Sequence, residues 1–272
     1  MELGYVCTNY NGSSFTRNVI GSLRRISGHK IFVVIVDNAS DPADLASIAS
    51  LEDEQTTVLR MKENLGYFSG LNAGIRHLRK TNPNCKWMVV GNNDLEFPED
   101  FCSKLEGILP EIERYPVTSP DIVTKDGLHQ NPHVISHISK FREIMYDVYY
   151  SNYYVGLALH ALAKRFRRIS DRADELQWQT ARSIYQGHGS AYILGPRFFE
   201  EFQELWAPTF LMSEEFFLSK QLGDKGYAVY YDPRVTVNHL WHGTLRDLPS
   251  RRRWEFARDA HRVYRQYVRV FK

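Results

Sequence analysis

Residues 87–97 read WMVVGNNDLEF. An apolar run suited to a buried strand stops at Gly91 and delivers Asn92, Asn93 and Asp94, with Glu96 two residues on. A carboxylate flanked by amides at a strand end offers the oxygen donors that magnesium or manganese prefer, so Asp94 is a metal candidate. An isolated NND run more often makes only a turn or an Asx cap. Its meaning depends on what else the chain brings to the same place.

The elements around it alternate. LGYVCT (3–8) is a short strand ending in the turn formers NYNGS, and Phe15 to Ile26 has helical spacing at Val19, Ile20, Leu23 and Ile26. IFVVIV (31–36) reads as a parallel strand covered on both faces and ends in DNASDP, with Pro42 placed to open a helix over 43–51. TTVLRM (56–61) is a third strand, ENLGYFSG a glycine-bearing loop, LNAGIRHLRK a helix and WMVV a fourth strand. Such alternation predicts an α/β fold on an open, mostly parallel sheet that binds ligands beyond the carboxyl ends of its strands. Residues 8–11, 37–40, 64–66 and 92–94 then form four polar loops on one rim.

From Ser136 to Ile184 the sequence turns aromatic and basic, which predicts a helical insertion of two helices joined near Val155 and Gly156. The pieces from Gly187 to Thr244 return to strand and helix patterns. Residues 251–272 read as a basic amphipathic helix with Phe256, Ala260, Val263 and Tyr267 on one face. No linker or repeat divides the 272 residues, so a single domain is expected.

Composition narrows the classes. Hydrophobic residues make up 43%, ample for a core, and a net charge of +2 carries no nucleic-acid footprint. Cys7, Cys85 and Cys102 are odd in number and without CxxC spacing, which argues against a disulfide framework or zinc site and suits a reducing compartment. No signal peptide or membrane-spanning run is evident, so the expected location is cytoplasmic, with contact to the inner face of a membrane open to it.

In order and spacing, these segments resemble glycosyltransferase family 2, with its GT-A fold, and in particular rhamnosyltransferase-like bacterial members acting on surface polysaccharides. The likeness covers 3–105 and resumes over 187–244. It rests on Thr8-Asn9-Tyr10-Asn11, on Val36-Asp37-Asn38-Ala39-Ser40, and most specifically on the run from Glu63 to Ile75, where Asn64, Gly66, Gly70, Asn72 and Gly74 match the family's E-N-x-G-f-x-x-G-x-N-x-G-i pattern. The resemblance implies that Thr8, Asn9 and Tyr10 line the base pocket. It also implies that Asp37, with Asn38, accepts an imide N–H from uracil or thymine, and that Asn64, Gly66 and Asn72 shape the nucleotide floor. The family's D-x-D motif falls on Asn92-Asn93-Asp94, so Asp94 keeps the final acid while Asn92 replaces the first, removing one charge that would hold a divalent cation.

FLMSEEFFLSKQLGDKGYAVYYDP resembles the family's E-D-x-D-L helix start, placing Glu215 at the catalytic acid, Glu214 before it and Phe217 at the second acid. Such a carboxylate can take a proton from an attacking hydroxyl; paired glutamates also simply suit the first turn of a helix. The resemblance further implies His239, with His242 as the weaker candidate, near the metal or diphosphate, and His188 and Ser190 beneath the acceptor. It thus implies an inverting enzyme using Mg2+ or Mn2+, a UDP- or dTDP-sugar donor and a glycan acceptor, lipid-linked or free. The basic tail can lie on anionic lipid, or more commonly pack its apolar face on the domain. The YYSNYY cluster can stack on sugars or bury in a homodimer interface. Two other classes stay open: a sugar nucleotidyltransferase, though NYNGSSFTRN lacks its glycine-rich basic loop, and an inactive glycan- or nucleotide-binding relative.

Overall fold

The computed structural model describes residues 1–165, 177–240 and 251–270. The first half is built as expected from β1 (Glu2–Asn9), α1 (Ser13–Arg25), β2 (Lys30–Asp37), α2 (Pro42–Ala49), β3 (Thr56–Arg60), α3 (Tyr67–Thr81) and β4 (Met88–Gly91). These strands lie side by side as β3-β2-β1-β4, all parallel, so Asn9, Asp37 and Gly91 end on one rim. Because both faces of β2 are covered, every residue from Ile31 to Asp37 is buried. Val19 and Leu23 of α1 join the core on one face of the sheet, and Phe68, Leu71, Ile75 and Leu78 of α3 join the core on the other. The glycine loop is shorter than predicted: Gly66, at φ 84°, turns the chain and α3 starts at Tyr67, four residues before the Leu71 start read from the sequence.

The second half adds β5 (Leu95–Glu96), α4 (Phe101–Ile112), β6 (Val117–Thr124), α5 (Lys140–Ser151), α6 (Tyr153–Arg165), β7 (Arg182–Ile184), β8 (Ala191–Leu194), α7 (Pro196–Glu201), α8 (Glu214–Gly223), β9 (Val229–His239) and α9 (Arg251–Tyr264). The sheet continues from β4 as β8-β6-β9-β5, with β7 on β9. Here the pairing becomes mixed, since β8 runs antiparallel to both β4 and β6 while β6 and β9 are parallel. The reversal has a consequence for the site. It sets the entry of β8 beside the exit of β4, where Asn92 N donates to Ser190 O at 2.9 Å. β9 ends at the same rim, with His239 opposite Leu95.

The two insertion helices meet at Asn152 and not at Val155-Gly156. Asn152 is extended and its Oδ1 accepts from Tyr154 N at 2.8 Å, so the chain turns there, while Gly156 sits inside α6 beneath Trp254. Residues 182–184, assigned to the insertion, are sheet. His242, residues 166–176 of the second predicted helix and with them the KRFRR run beyond Arg165 fall outside the described residues. The tail helix packs on the body through Trp254, Ala260 and Tyr264, all buried, and through Phe256, whose ring lies 5.3 Å from that of Phe210. Among the described residues no helix is long and apolar enough to cross a membrane.

Candidate active site

The rim is braced by amides before any ligand is considered. Asn9 is fully buried; its Nδ2 donates to Asp37 Oδ1 (3.2 Å), Ser40 Oγ (3.1 Å) and Asp44 Oδ2 (2.8 Å), and its Oδ1 accepts from Thr16 and Asn93. Asn93 also donates to Thr16 Oγ1 and to Gly12 O. Asn9 and Asn93 therefore tie the ends of β1, β2 and β4 together and hold Asp37 and Asp94 on a common framework. Asp37 itself accepts from Asn9 and from Ser40 N, which leaves lone pairs on a carboxylate that can accept about four bonds. Thr8 is half-buried on this rim, and Tyr10 is exposed.

Asn38 closes the next joint: its amide donates to Gly66 O at 3.0 Å and its Oδ1 receives Leu65 N. Asn64 Oδ1 accepts from Gly66 N, stabilising the turn. A Cβ on Gly66 would stand 2.0 Å from Phe210 O, so only glycine fits here. Asn72 lies in α3 and makes a reciprocal pair with the backbone of Leu205, at 2.7 and 2.9 Å. That clamp fixes the segment leading to α8, and Asn72 faces a cavity of about 760 Å³ shared with Ser69, Arg76 and Trp206 that includes none of Asp37, Asp94 or Glu215.

Asp94 and His239 form the charged centre. His239 Nδ1 meets Gln130 Oε1 at 2.7 Å; an amide oxygen only accepts, so Nδ1 carries hydrogen and Nε2 is turned to Asp94 Oδ1, 3.2 Å away. Oδ1 of Asp94 is buried and lacks a well-aligned hydrogen bond. Burial works against its charge, but the contacts with His239 and Asn92 outweigh it and hold the carboxyl below its ordinary range. A buried carboxylate oxygen facing an imidazole nitrogen across 3.2 Å is satisfied by a proton on Nε2 or by a cation bound to both atoms. The pair therefore fits a divalent ion that takes its remaining ligands from water and phosphate, as such ions often do at diphosphate sites. No group of three His, Cys, Asp or Glu able to hold a metal occurs among the described residues, and Glu96 turns away to pair with Arg25 at 3.1 Å.

His188 links this centre to the acid on α8. Its ring lies 5.9 Å from that of His239, and its Nδ1 is 3.0 Å from Oγ of the buried Ser190. The next residue, Gly189, donates its N–H to Glu215 Oε1 at 3.2 Å and accepts from Tyr67 OH at 2.8 Å. A Cβ on Gly189 would stand 2.7 Å from the Glu215 carboxylate, so the small residue leaves that acid its place. The Tyr67 hydroxyl is pushed up by burial and by the charges of Glu214, Asp94 and Glu215.

Glu214 and Glu215 differ in what they face. Glu214 is buried and accepts from Met212 N at 2.8 Å; burial and the adjacent Glu215 push its carboxyl up to about 8. Glu215 opens on a cavity of about 490 Å³ walled by Tyr146 and Tyr150 of α5, Arg253 and His261 of α9, and His133. Phe217, at the position of the family's second acid, is core, packed edge-on against Trp206 at 5.2 Å. Met212 and Ser213, just before the acids, adopt φ of 76° and 67°, and among the described residues the other non-glycines with positive φ, Asn11 and Ala39, lie in the β1 and β2 rim loops. Strained backbone of this kind costs stability and concentrates at functional sites.

Sequence reasoning passed over Gln130, Gly189 and the site role of Tyr67. Gln130 belongs to LHQNPH, a polar stretch dense in amides and histidines between β6 and α5, and Asn131 in the same stretch receives His188 N at 2.8 Å. That density was the available signal.

Comparison with known proteins identifies the family and the fold. The sequence model described as "Glycosyl transferase family 2" matches residues 6–169. Searched against curated proteins, the chain has no significant match. Among solved structures it is similar to GalNAc-T7 with UDP, GalNAc and Mn2+ (TM-score 0.55, 12% identity, 89% of this chain and 43% of that one). It is similar also to the mannosyltransferase PcManGT from Pyrobaculum calidifontis with GDP-Man and Mn2+ (TM-score 0.52, 15% identity, 87% and 56%). Residues 1–349 of S. aureus TarS align at TM-score 0.48 and 12% identity over 86% and 60%. The chain spans about half the length of these structures. A family match over more than half of its residues, on a fold shared with such enzymes, makes this chain a member of glycosyl transferase family 2 built as a GT-A fold.

Proposed function

We propose that the protein is an inverting glycosyltransferase that moves one sugar from a UDP- or dTDP-linked donor to a hydroxyl of a growing bacterial surface glycan. The observation that supports this is the run of contacts that leads from Glu215 through Gly189 and the adjoining His188 to the His239–Asp94 pair. Thr8, Tyr10, Asp37 and Asn38 would hold the base, with Asn92 toward the ribose. Two of the fold neighbours were solved with UDP and with GDP-Man, which supports a nucleotide-diphosphate sugar as the class of donor.

Glu215 takes the proton of the acceptor hydroxyl as that oxygen attacks the anomeric carbon, and the bond from that carbon to the diphosphate breaks on the opposite side. One in-line displacement inverts the configuration. Glu214, buried, absent from the wall of the cavity at Glu215 and spent on Met212 N, braces the turn before α8 and is not placed to be the base. Asp94 and His239 would hold Mn2+ or Mg2+, which neutralises charge on the departing diphosphate; the imidazole favours manganese, the softer of the two. His188 and Ser190 border the acceptor side, where the cavity at Glu215 suits a glycan, lipid-linked or free.

Calorimetric titration with UDP and dTDP, with and without Mn2+, tests the donor assignment, and a panel of activated sugars identifies the sugar by hydrolysis. A Glu215→Gln variant is expected to bind the nucleotide as before and to lose transfer. Transfer at the parent rate would remove Glu215 from the role of base.

A further inference from the structure

The hairpin of α5 and α6 has one side in use and one side bare. Toward the body, Glu143 is buried beneath α9, bonded to the Tyr264 hydroxyl and 2.8 Å from Arg265, while Asp147 meets His261 at 2.9 Å and Arg265 at 2.6 Å. Tyr150 and Tyr153 pack against Trp254, so the tyrosine cluster is largely spent on α9. Away from the body, Phe141, Ile144 and Val148 stand exposed at spacings of three and four, one stripe along α5. On α6, Val155 and Leu162 repeat seven apart beside Tyr154, and all three are exposed. Phe141 and Tyr154 are 71% and 72% exposed, unusual for large apolar rings.

The charge around this stripe is one-sided. Helices α5, α6 and α9 carry nine Lys and Arg against four acids in a chain whose totals are 34 and 32. The acids of α5 are Glu143 and Asp147, engaged by Tyr264 and His261 of α9 and by Arg265 just after it, and α6 has no acid at all. Lys140 is exposed at the start of α5, and Arg251 and Arg252 are exposed at the start of α9. The tail helix, for which the sequence allows lipid contact but more commonly packing on the domain, has its apolar side on the domain, whereas the outward side of the hairpin stays exposed.

We propose that the outward face of the α5–α6 hairpin docks on an anionic lipid surface, with Phe141, Ile144, Val148, Val155 and Leu162 entering the headgroup layer and the neighbouring basic residues against lipid phosphates. A second copy of the chain suits the stripe less well, because a two-fold contact would set the same basic residues against one another. Docking sets the cavity at Glu215, walled by Tyr146 and Tyr150 of the same helix, close to the bilayer. Only this last use, delivery of a lipid-linked acceptor, rests on the function proposed above; the docking itself is read without any transfer.

Sedimentation with vesicles of phosphatidylcholine, with and without phosphatidylglycerol, tests it. The protein is expected to pellet with the anionic vesicles and to be released by salt. The exposed-residue variant F141S/I144S/V148S is expected to lose about tenfold or more in partitioning, since each apolar group withdrawn from the lipid is worth on the order of a tenfold factor. Its unchanged UDP titration and thermal unfolding would show an intact fold. Equal pelleting of parent and variant, or self-association in lipid-free solution that the same substitutions abolish, would overturn the proposal.

Discussion

The carboxylate of Glu215 rests on the backbone of Gly189, with Oε1 3.2 Å from the amide nitrogen and 2.7 Å from where a side-chain Cβ would begin. A methyl group at 189 meets the end of a flexible side chain, so Gly189→Ala should fold normally while turning Glu215 out of place. We expect kcat to fall about ten- to a hundredfold with donor binding unchanged, the usual effect of misplacing a reacting group by about an ångström. Paired steady-state kinetics and nucleotide titration check this; an unaltered kcat would mean that the Gly189 contact does not position Glu215, the proposed base.

The paired acids give a pH signature. A glutamate in the unfolded chain titrates near about 4.3, whereas burial and Glu215 push Glu214 in the fold up to about 8. Between these values the native state keeps a proton that the unfolded state has released, so this group's contribution to stability falls as pH rises through that window. Glu214→Gln keeps an acceptor for Met212 N and removes the titration. Urea unfolding at pH 5 and pH 8 should show the variant gaining on the parent by roughly 2 to 4 kcal/mol at the higher pH, the scale of a shift of about three units.

Gln130 stands behind His239, the proposed metal ligand. Gln130→Leu frees His239 Nδ1 from its 2.7 Å bond and lets the ring turn. Affinity for Mn2+, titrated with UDP present, should fall about tenfold or more, while metal-free UDP binding stays as it was. No change in manganese affinity would separate His239 from metal binding.

Gly66 is a stability hinge between two halves of the site. Alanine there must hold φ near 84° and push a Cβ into Phe210 O at 2.0 Å, backbone that cannot swing aside cheaply. Gly66→Ala should cost about 2 to 4 kcal/mol and lower Tm by roughly 10 °C. Because Tyr67 N also donates to Phe210 O, the loop leading to Ser213 and Glu215 should shift and transfer should drop with it. Calorimetric melting and activity on the same preparation check both parts.

Much of the rim was legible in the sequence because parallel strands buried on both faces must be continuous apolar runs, and such runs end visibly at NYNGS, DNASDP and GNND. The segment from Glu63 to Ile75 was legible for a similar reason: Gly66 needs a positive φ, and Asn64 caps the turn it makes. The roles of the amides were not. Asn9 and Asn72 look like ligand groups in one dimension, yet each spends its hydrogen bonds on backbone or side chains far away in sequence. Long-range partners leave no local periodicity to read, and the same is true of Gln130 behind His239.

The sequence by itself determined the alternation of strand and helix, the position of each polar loop at a strand end, and the types of residue able to grip a diphosphate or accept a proton, since these follow from local propensity, burial pattern and side-chain chemistry. Tertiary structure decided which acid of the 214–215 pair opens on the cavity, that Asp94 finds His239 from the far end of the chain, and that the tail helix hides its apolar face while the hairpin bares its own. Those outcomes depend on the reversed run of β8 beside β4 and on the packing of α9 against α5. Both are contacts between segments distant in sequence, whose geometry is set only when the whole sheet and its covering helices close together.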